Sequence, residues 1–157
     1  MHPIWVRSGH PWCALVPSIS RQALLPYPAE RVYHLVNDVA RYPEFVPGCA
    51  AVTLVSSSAK EVVASVRVEA RGFADTFTTR NLLSPHECID LELHDGPFDR
   101  LSGRWTFEQL GDVGCKVVLQ LDYEIGGVLG MTLKPMVNRA GDLVLDAFVT
   151  RARTELA

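Results

Sequence analysis

The strongest constraint in this chain is a change in the spacing of its apolar residues, from a helical period to an alternating one after Cys49. Apolar residues then recur at every second position in four runs, which are KEVVASVRVEA, CIDLELH, RLSGRWTFEQL and CKVVLQLDYEI. Successive side chains of a strand point to opposite faces, so each run buries one face and exposes the other. Antiparallel sheets show this one-sided pattern. Short turns such as SPHE and GDVG join neighbouring runs, which predicts a meander.

Helical periodicity lies on both sides of the alternating region. AERVYHLVNDV places Val32, Val36 and Val39 on one face, which predicts an amphipathic helix. In DVARYPEFVPGC, the residue Pro43 suits the first turn of a short second helix, and Pro47–Gly48 is a stop signal. This connection is unusually stiff and apolar for a loop, which indicates that it packs against something.

A long helix is predicted near the end of the chain, where apolar residues from Leu129 to Phe148 follow a helical spacing. Pro135 is expected to kink this helix or to split off a first short turn, because proline removes a backbone donor. Gly141 is unfavourable inside a helix and indicates either a close approach to the sheet or room for another group.

These elements predict one α+β domain, because 157 residues are typical of a single core. SISRQALLPY reads as a strand that precedes the two short helices, and it brings the expected total to about seven strands. A curved antiparallel sheet wrapped around the long C-terminal helix would bury the apolar faces economically. We assign residues 19–157 to this domain. Residues 1–18 are expected to be a disordered N-terminal extension, since they show no periodic apolar face.

Composition excludes several classes of protein. The net charge of −3 gives no global basic field, so no DNA partner is expected. No stretch has the roughly 18 apolar residues of a membrane span, so contact with a membrane would be peripheral at most. Four cysteines are scattered without metal-ligand spacing and are interpreted as reduced thiols of a cytoplasmic protein; they are Cys13, Cys49, Cys88 and Cys115.

Catalytic signatures are missing from the sequence. It contains no nucleophile elbow, Walker loop, zinc-binding helix or Gly-rich dinucleotide fingerprint. His94 and Asp95 are adjacent, but neighbours on a strand point to opposite faces. Asp75 shares the parity of Phe73 and Phe77 and is either a cavity-facing acid or an ordinary, partly exposed one. We therefore predict a protein that is not an enzyme, without a metal, and keep a cyclase or hydrolase as the third alternative.

Several motifs occur together and in order: PYPAERVYHLVNDVARYPEFVPGC, FTTRN, DGPF followed by Leu101 and Trp105–Phe107, and AFVTRA. From Ile19 to about Leu156 the chain resembles the coenzyme Q-binding, START-like family of the polyketide cyclase/dehydrase superfamily, most closely its bacterial branch of ribosome association toxins. The resemblance implies a helix-grip fold, in agreement with the pattern of elements. The N-terminal extension and Pro135 depart from the family pattern.

In a helix-grip fold the sheet and the long helix enclose an elongated cavity. The residues that the resemblance and the strand parity place on its wall are Val66, Val68, Phe77, Leu91, Leu93, Trp105, Phe107, Leu119, Tyr123, Val137, Val144 and Phe148. The residues expected to form its lid or rim are Tyr42, Phe45, Val46 and Phe98. The same side chains would equally fill a solid core, so the sequence leaves both possibilities open.

Two functions follow from the resemblance. The first is binding of a hydrophobic small molecule, ubiquinone or a related lipid, in support of respiratory quinone function and without any other cofactor. The second is association with the large ribosomal subunit, which would block subunit joining. Basic residues on or beside the solvated sheet face could contact rRNA phosphates, although interspersed acids favour an ordinary solvated face; these residues are Arg67, Arg71, Arg80, Arg100, Arg104 and Lys116.

Overall fold

The computed structural model describes residues 18–70 and 72–157. In chain order the elements are β1 (Ser18–Leu25), α1 (Ala29–Asn37), the 3₁₀ helix η1 (Val39–Glu44), β2 (Cys49–Ser57), β3 (Glu61–Ala70), β4 (Phe73–Ser84), β5 (Cys88–Asp95), β6 (Arg100–Leu110), β7 (Gly114–Glu124) and α2 (Gly127–Glu155). The predicted α+β fold is confirmed, with a seven-stranded curved antiparallel sheet, short helices after the first strand and one long C-terminal helix. Of the predicted extension, all but Ser18 lies outside the described residues, and Ser18 already belongs to β1.

The seven strands form one sheet in the order β1-β7-β6-β5-β4-β3-β2. Strands β2 to β7 are each paired with their neighbours in sequence, so the predicted meander is confirmed. β1 pairs with β7 in an antiparallel register that sets Ile19 opposite Leu121 and Leu25 opposite Cys115. Because β1 lies beside β7, the helix α1 begins next to the last strand of the sheet.

The long helix α2 is continuous from Gly127 to Glu155, so the prediction that Pro135 splits off a first turn is wrong. Proline removes only one backbone donor, and the neighbouring turns hold the helix because Leu133, Leu145 and Phe148 are buried. Gly141 lies against β1, where an added Cβ would be 2.7 Å from Cγ2 of Ile19. The close approach predicted from Gly141 is confirmed.

The connection between α1 and β2 begins earlier than predicted. η1 starts at Val39, and Pro43 lies near its end rather than in its first turn. Val39 is buried in a small cluster with Val62 and Ala64 of β3. The early start of η1 follows from this burial, because the chain has to turn toward the sheet directly after α1. Gly48 ends the connection with a φ of 82°, a conformation that favours glycine.

Two larger groups of buried residues lie at different ends of α2. One group packs beneath α1 and the C-terminal part of α2, and it includes Tyr33, Trp105 and Phe107. The other, with Ile19 and Tyr123, lies beneath the first turns of α2. In the described part of the chain no helix is long and apolar enough to cross a membrane. Three described cysteines are free thiols, as predicted, while Cys13 lies outside the described residues; the three are Cys49, Cys88 and Cys115.

The contact between Gly141 and Ile19 gives a direct stability test. We expect Gly141→Ala to lower the free energy of unfolding by about 1–2 kcal/mol, because the clash outweighs alanine's better helix propensity. In an Ile19→Ala background the same change should be neutral or stabilising, since the contacted methyl group is gone. Urea unfolding of the four proteins measures this coupling. Equal effects of Gly141→Ala in both backgrounds would contradict the contact.

Candidate functional site

An elongated cavity of about 480 Å³ lies between the concave face of the sheet and α2. This volume falls within the range of small-molecule sites. Strands β3 to β7 form one wall, the middle of α2 forms the other, and the segment from Tyr42 to Cys49 covers one side. The cavity exists because the curved sheet and the helix diverge between the two buried groups of residues.

Most of the predicted wall residues surround this cavity. Strand parity brings the sheet residues to the concave face, and helical spacing brings three residues of α2 opposite them. The predicted residues that line it are Val66, Val68, Phe77, Leu91, Trp105, Leu119, Val137, Val144 and Phe148. The rings of Trp105 and Phe148 meet edge to face with centroids 5.1 Å apart, so sheet and helix touch at this end.

Three predicted wall residues lie elsewhere. Phe107 packs beneath α1, with its ring 5.5 Å from that of Tyr33. Tyr123 is fully buried under the first half of α2, where its hydroxyl donates to Asn138 Oδ1 at 2.9 Å. Leu93 lies beside the Gly96 turn that follows β5. These residues share the inward parity of the wall, but α1 covers Phe107 and α2 covers Tyr123.

The lid is held by aromatic contacts. Tyr42, Val46 and Phe98 line the cavity, as expected for lid or rim positions. The Tyr42 hydroxyl donates to the carbonyl of Val36, and its ring lies 5.1 Å from that of Phe148. Burial raises the pKa of Tyr42, so its hydroxyl remains a donor over the physiological pH range. The predicted lid segment is therefore attached to both α1 and α2.

Phe45 does not line the cavity and instead fixes the lid from outside. Its ring packs on Phe148 at 5.1 Å, and the Arg151 guanidinium lies 4.7 Å above it. Arg151 also donates to Glu44 at 2.7 Å, and this hydrogen bond lowers the pKa of the Glu44 carboxyl. Exposed ion pairs contribute little to stability, so the lid depends mainly on its aromatic contacts.

Few polar side chains reach the cavity. Thr79 and Asn81 lie on its wall in β4, and Glu69 lies at its edge. Sequence reasoning missed Thr79 and Asn81, although both continue the inward parity of Phe73 and Phe77. Asp75, the acid considered from that parity, is not part of the wall, and its carboxylate accepts a hydrogen bond from the N–H of Thr76 at 2.7 Å.

The described wall residues offer little chemistry. They include no histidine, lysine or arginine, and Glu69 is their one carboxylate. Cys49 also lies on the wall, but burial raises the pKa of its thiol and disfavours the reactive thiolate. The cavity can therefore enclose an apolar molecule but presents no paired acid and base.

The predicted basic face is largely neutralised by ion pairs. Arg67 pairs with Glu69 at 2.8 Å, Arg104 pairs with Asp90 at 2.6 Å, and Arg80 pairs with Glu61. Arg71 lies outside the described residues. Among the residues that the structure describes, Arg100 and Lys116 have no acidic partner within 4.0 Å. Of the predicted cations that the structure describes, three are thus paired with acids and two are not.

A possible set of metal ligands lies on the surface, away from the cavity. Glu30 and His34 are one turn apart on α1, and His86 approaches from the β4–β5 turn, so that one ligand atom of each lies within 4.8 Å of the others. All three side chains are exposed. Exposed groups of this kind are common without an ion, so the geometry alone does not define a metal centre.

A curved sheet that grips a long helix around an apolar cavity defines a START-like protein. A family model described as "Polyketide cyclase / dehydrase and lipid transport" matches residues 25–149, which is most of the chain. The chain belongs to this family.

Individual relatives agree with this assignment. The chain is 43% identical over 136 residues to the "Ribosome association toxin RatA" of Pseudomonas aeruginosa, covering 86% of this chain and 94% of that protein. It is 26% identical over 136 residues to the mitochondrial "Coenzyme Q-binding protein coq10" of Schizosaccharomyces pombe, covering 83% of each. The Zhui aromatase/cyclase of a Streptomyces species has the same fold, with a TM-score of 0.80 at 21% identity, covering 90% of this chain and 96% of that structure.

Two buried phenylalanines allow the cavity to be tested by stability. Phe148 is 3% exposed and lines the cavity, whereas Phe107 is 4% exposed and lies outside it. We expect Phe107→Ala to lower the free energy of unfolding by about 3–5 kcal/mol, and Phe148→Ala to cost about 1 kcal/mol less, because Phe148 lacks packing partners on its cavity side. Urea unfolding of delipidated protein measures both. A larger loss for Phe148→Ala would contradict an empty cavity.

Proposed function

We propose that this protein binds an elongated hydrophobic small molecule, ubiquinone or a related lipid, and does not transform it. The observation that carries this proposal is the cavity of about 480 Å³, whose wall is apolar except for a few side chains. Transfer of apolar surface from water into such a cavity is favourable in proportion to the area buried. The cavity would hold the apolar part of the molecule away from water.

The chemistry of the wall supports binding without catalysis. General acid–base catalysis needs a titratable group positioned against the reacting atoms, most often a histidine. The described wall offers no histidine, and burial raises the pKa of both Tyr42 and Cys49. The likeness to an aromatase/cyclase concerns the fold and does not supply the missing groups. A cyclase or hydrolase is therefore the weakest of the three functions.

The relatives support one function each. The Schizosaccharomyces pombe relative is named a coenzyme Q-binding protein, which agrees with an apolar cavity. The Pseudomonas aeruginosa relative, which is more similar to this chain, is named a ribosome association toxin. We therefore propose as the second function that the chain associates with the large ribosomal subunit and blocks subunit joining. The chain is 43% identical to that relative and 26% identical to the coenzyme Q-binding one, and the higher identity supports this second function.

The ligand proposal can be tested by quenching of Trp105, which lies on the cavity wall. After Trp5 and Trp12 are replaced by phenylalanine, Trp105 is the remaining tryptophan. We expect a ubiquinone with a ten-carbon tail to quench its fluorescence saturably. Val66→Phe should weaken binding at least about tenfold, because the added ring occupies the cavity.

Val63→Phe is the matched control for this titration. Val63 lies on the same strand with opposite parity and is absent from the cavity wall, so this change should leave affinity unaltered. Quenching that does not saturate, or that both variants weaken equally, would argue against binding inside the cavity.

The ribosome proposal predicts a surface effect that leaves the cavity unchanged. We expect added protein to reduce 70S formation in sucrose gradients at low salt. Reversing the two cations without acidic partners, by Arg100→Glu with Lys116→Glu, should weaken this effect and lower the salt slope by roughly two. Arg67→Gln with Arg104→Gln is the control, since both arginines are already paired with acids.

The gradients also separate the two functions. If the wild-type protein leaves subunit joining unchanged at low salt, ribosome association is rejected for this chain and the ligand proposal stands alone. If the charge reversals have no effect while joining is still blocked, the sheet face is not the contact surface.

A further inference from the structure

One side chain on the wall of the apolar cavity is polar, buried and incompletely hydrogen-bonded. Asn81 is 5% exposed and lies on the cavity wall, yet its side-chain oxygen has no hydrogen-bond partner among the described residues. Across the sheet it is paired with Val62 on one side and Leu91 on the other. Thr79, which is 9% exposed, follows the same inward parity and also lines the cavity.

Burial of an unpaired amide oxygen is unfavourable, because the oxygen loses its hydrogen bonds to water and gains none in return. Buried polar side chains nearly always have a partner, so each exception calls for an explanation. Leucine has a similar size and would fill the same space without this penalty. An asparagine at this position is explained if a partner arrives with a ligand.

The position of Asn81 defines which part of a ligand it would meet. The exposed wall residues are Pro47, Gly48, Glu69, Ala140 and Leu143, so we place the opening between the lid, the end of β3 and the middle of α2. Asn81 is paired with Val62, seven positions along β3 from Glu69, which is roughly 23 Å at about 3.3 Å per residue. Asn81 therefore lies far from this opening.

We propose that Asn81 is the anchor for the head group of the ligand, with Thr79 beside it, and that the ligand is a neutral amphiphile carrying a hydroxyl group. The hydroxyl would donate to the unpaired amide oxygen while the apolar part extends toward the opening. This inference rests on the proposed ligand-binding function and adds to it the orientation and chemical class of the ligand.

The described wall offers no cation that could compensate an anionic head group, and this determines the chemical class of the ligand. Among the described wall residues the only charged side chain is that of Glu69, and it lies at the opening. A buried carboxylate or phosphate would lack a cation partner, which makes a fatty acid anion or a phospholipid unfavourable. An alcohol or the hydroxyl-bearing, reduced form of a quinone meets the requirement.

Two probes that differ by one donor test the anchor. 1-Decanol can donate to Asn81, whereas its methyl ether cannot, and both fit the cavity. Calorimetric titration gives the ratio of their affinities for the wild-type protein and for Asn81→Leu. Because the ether is the more apolar probe, the contribution of the anchor is the change in this ratio between the two proteins. We expect the wild type to favour the alcohol about 3- to 10-fold more than Asn81→Leu does.

Asn37→Leu provides the matched control. Asn37 also has a buried side-chain oxygen without a partner in the described residues, but it lies at the end of α1 and not on the cavity wall. This variant should keep the wild-type ratio. Asn81→Leu should melt at the same temperature as the wild type or higher without ligand, since it removes an unpaired buried group. If leucine is not tolerated, Asn81→Ala replaces it in the same comparison.

The outcomes distinguish the anchor from the cavity. If both probes bind and their affinity ratio is the same in the wild type and in Asn81→Leu, the anchor is rejected while the ligand-binding function stands. If Asn37→Leu changes the ratio as much as Asn81→Leu does, the effect is not specific to the cavity and the anchor is also rejected. If neither probe binds the wild-type protein and the quinone titration fails as well, the inference and the proposed function fall together.

Discussion

The contact of Ile19 with Gly141 is the point on which the rest of the structure depends. It joins the first strand of the chain to the middle of α2, and an added Cβ at Gly141 would lie 2.7 Å from the Ile19 side chain. Because β1 is itself paired with β7, this contact seats the long helix across the concave face of the sheet. The short connections after β1 then carry α1 and η1 over one end of that face.

That space persists because its borders are rigid. The rings of Tyr42, Trp105 and Phe148 meet edge to face at one end, and Phe98 lies between Phe77 and Tyr123 at another part of the rim. Aromatic side chains have few rotamers, so their contacts resist collapse at little entropic cost. The curved sheet and the helix cannot approach further without disturbing these rings. An apolar cavity in such a frame is suited to holding a molecule of similar shape.

The two proposed functions use different surfaces of the same strands. Inward residues such as Trp105 and Leu119 line the cavity, whereas Arg100 and Lys116, the cations proposed to contact the ribosome, have the opposite parity on the same two strands. Since neighbouring residues of a strand point to opposite faces, each function can change without the other.

The apolar spacing by itself determined the order of the elements, the meander and the inward face of each strand, because periods of 2 and 3.6 are properties of the local backbone. It could not determine which inward residues stay uncovered. Phe107 and Tyr123 share the parity of the cavity wall, but α1 and the first half of α2 cover them. Nor could it show that the side-chain oxygen of Asn81 has no hydrogen-bond partner in the described part of the chain, or that Arg67 and Arg104 are paired with acids. Only the tertiary structure decided these points, since they depend on distances between residues far apart in the chain.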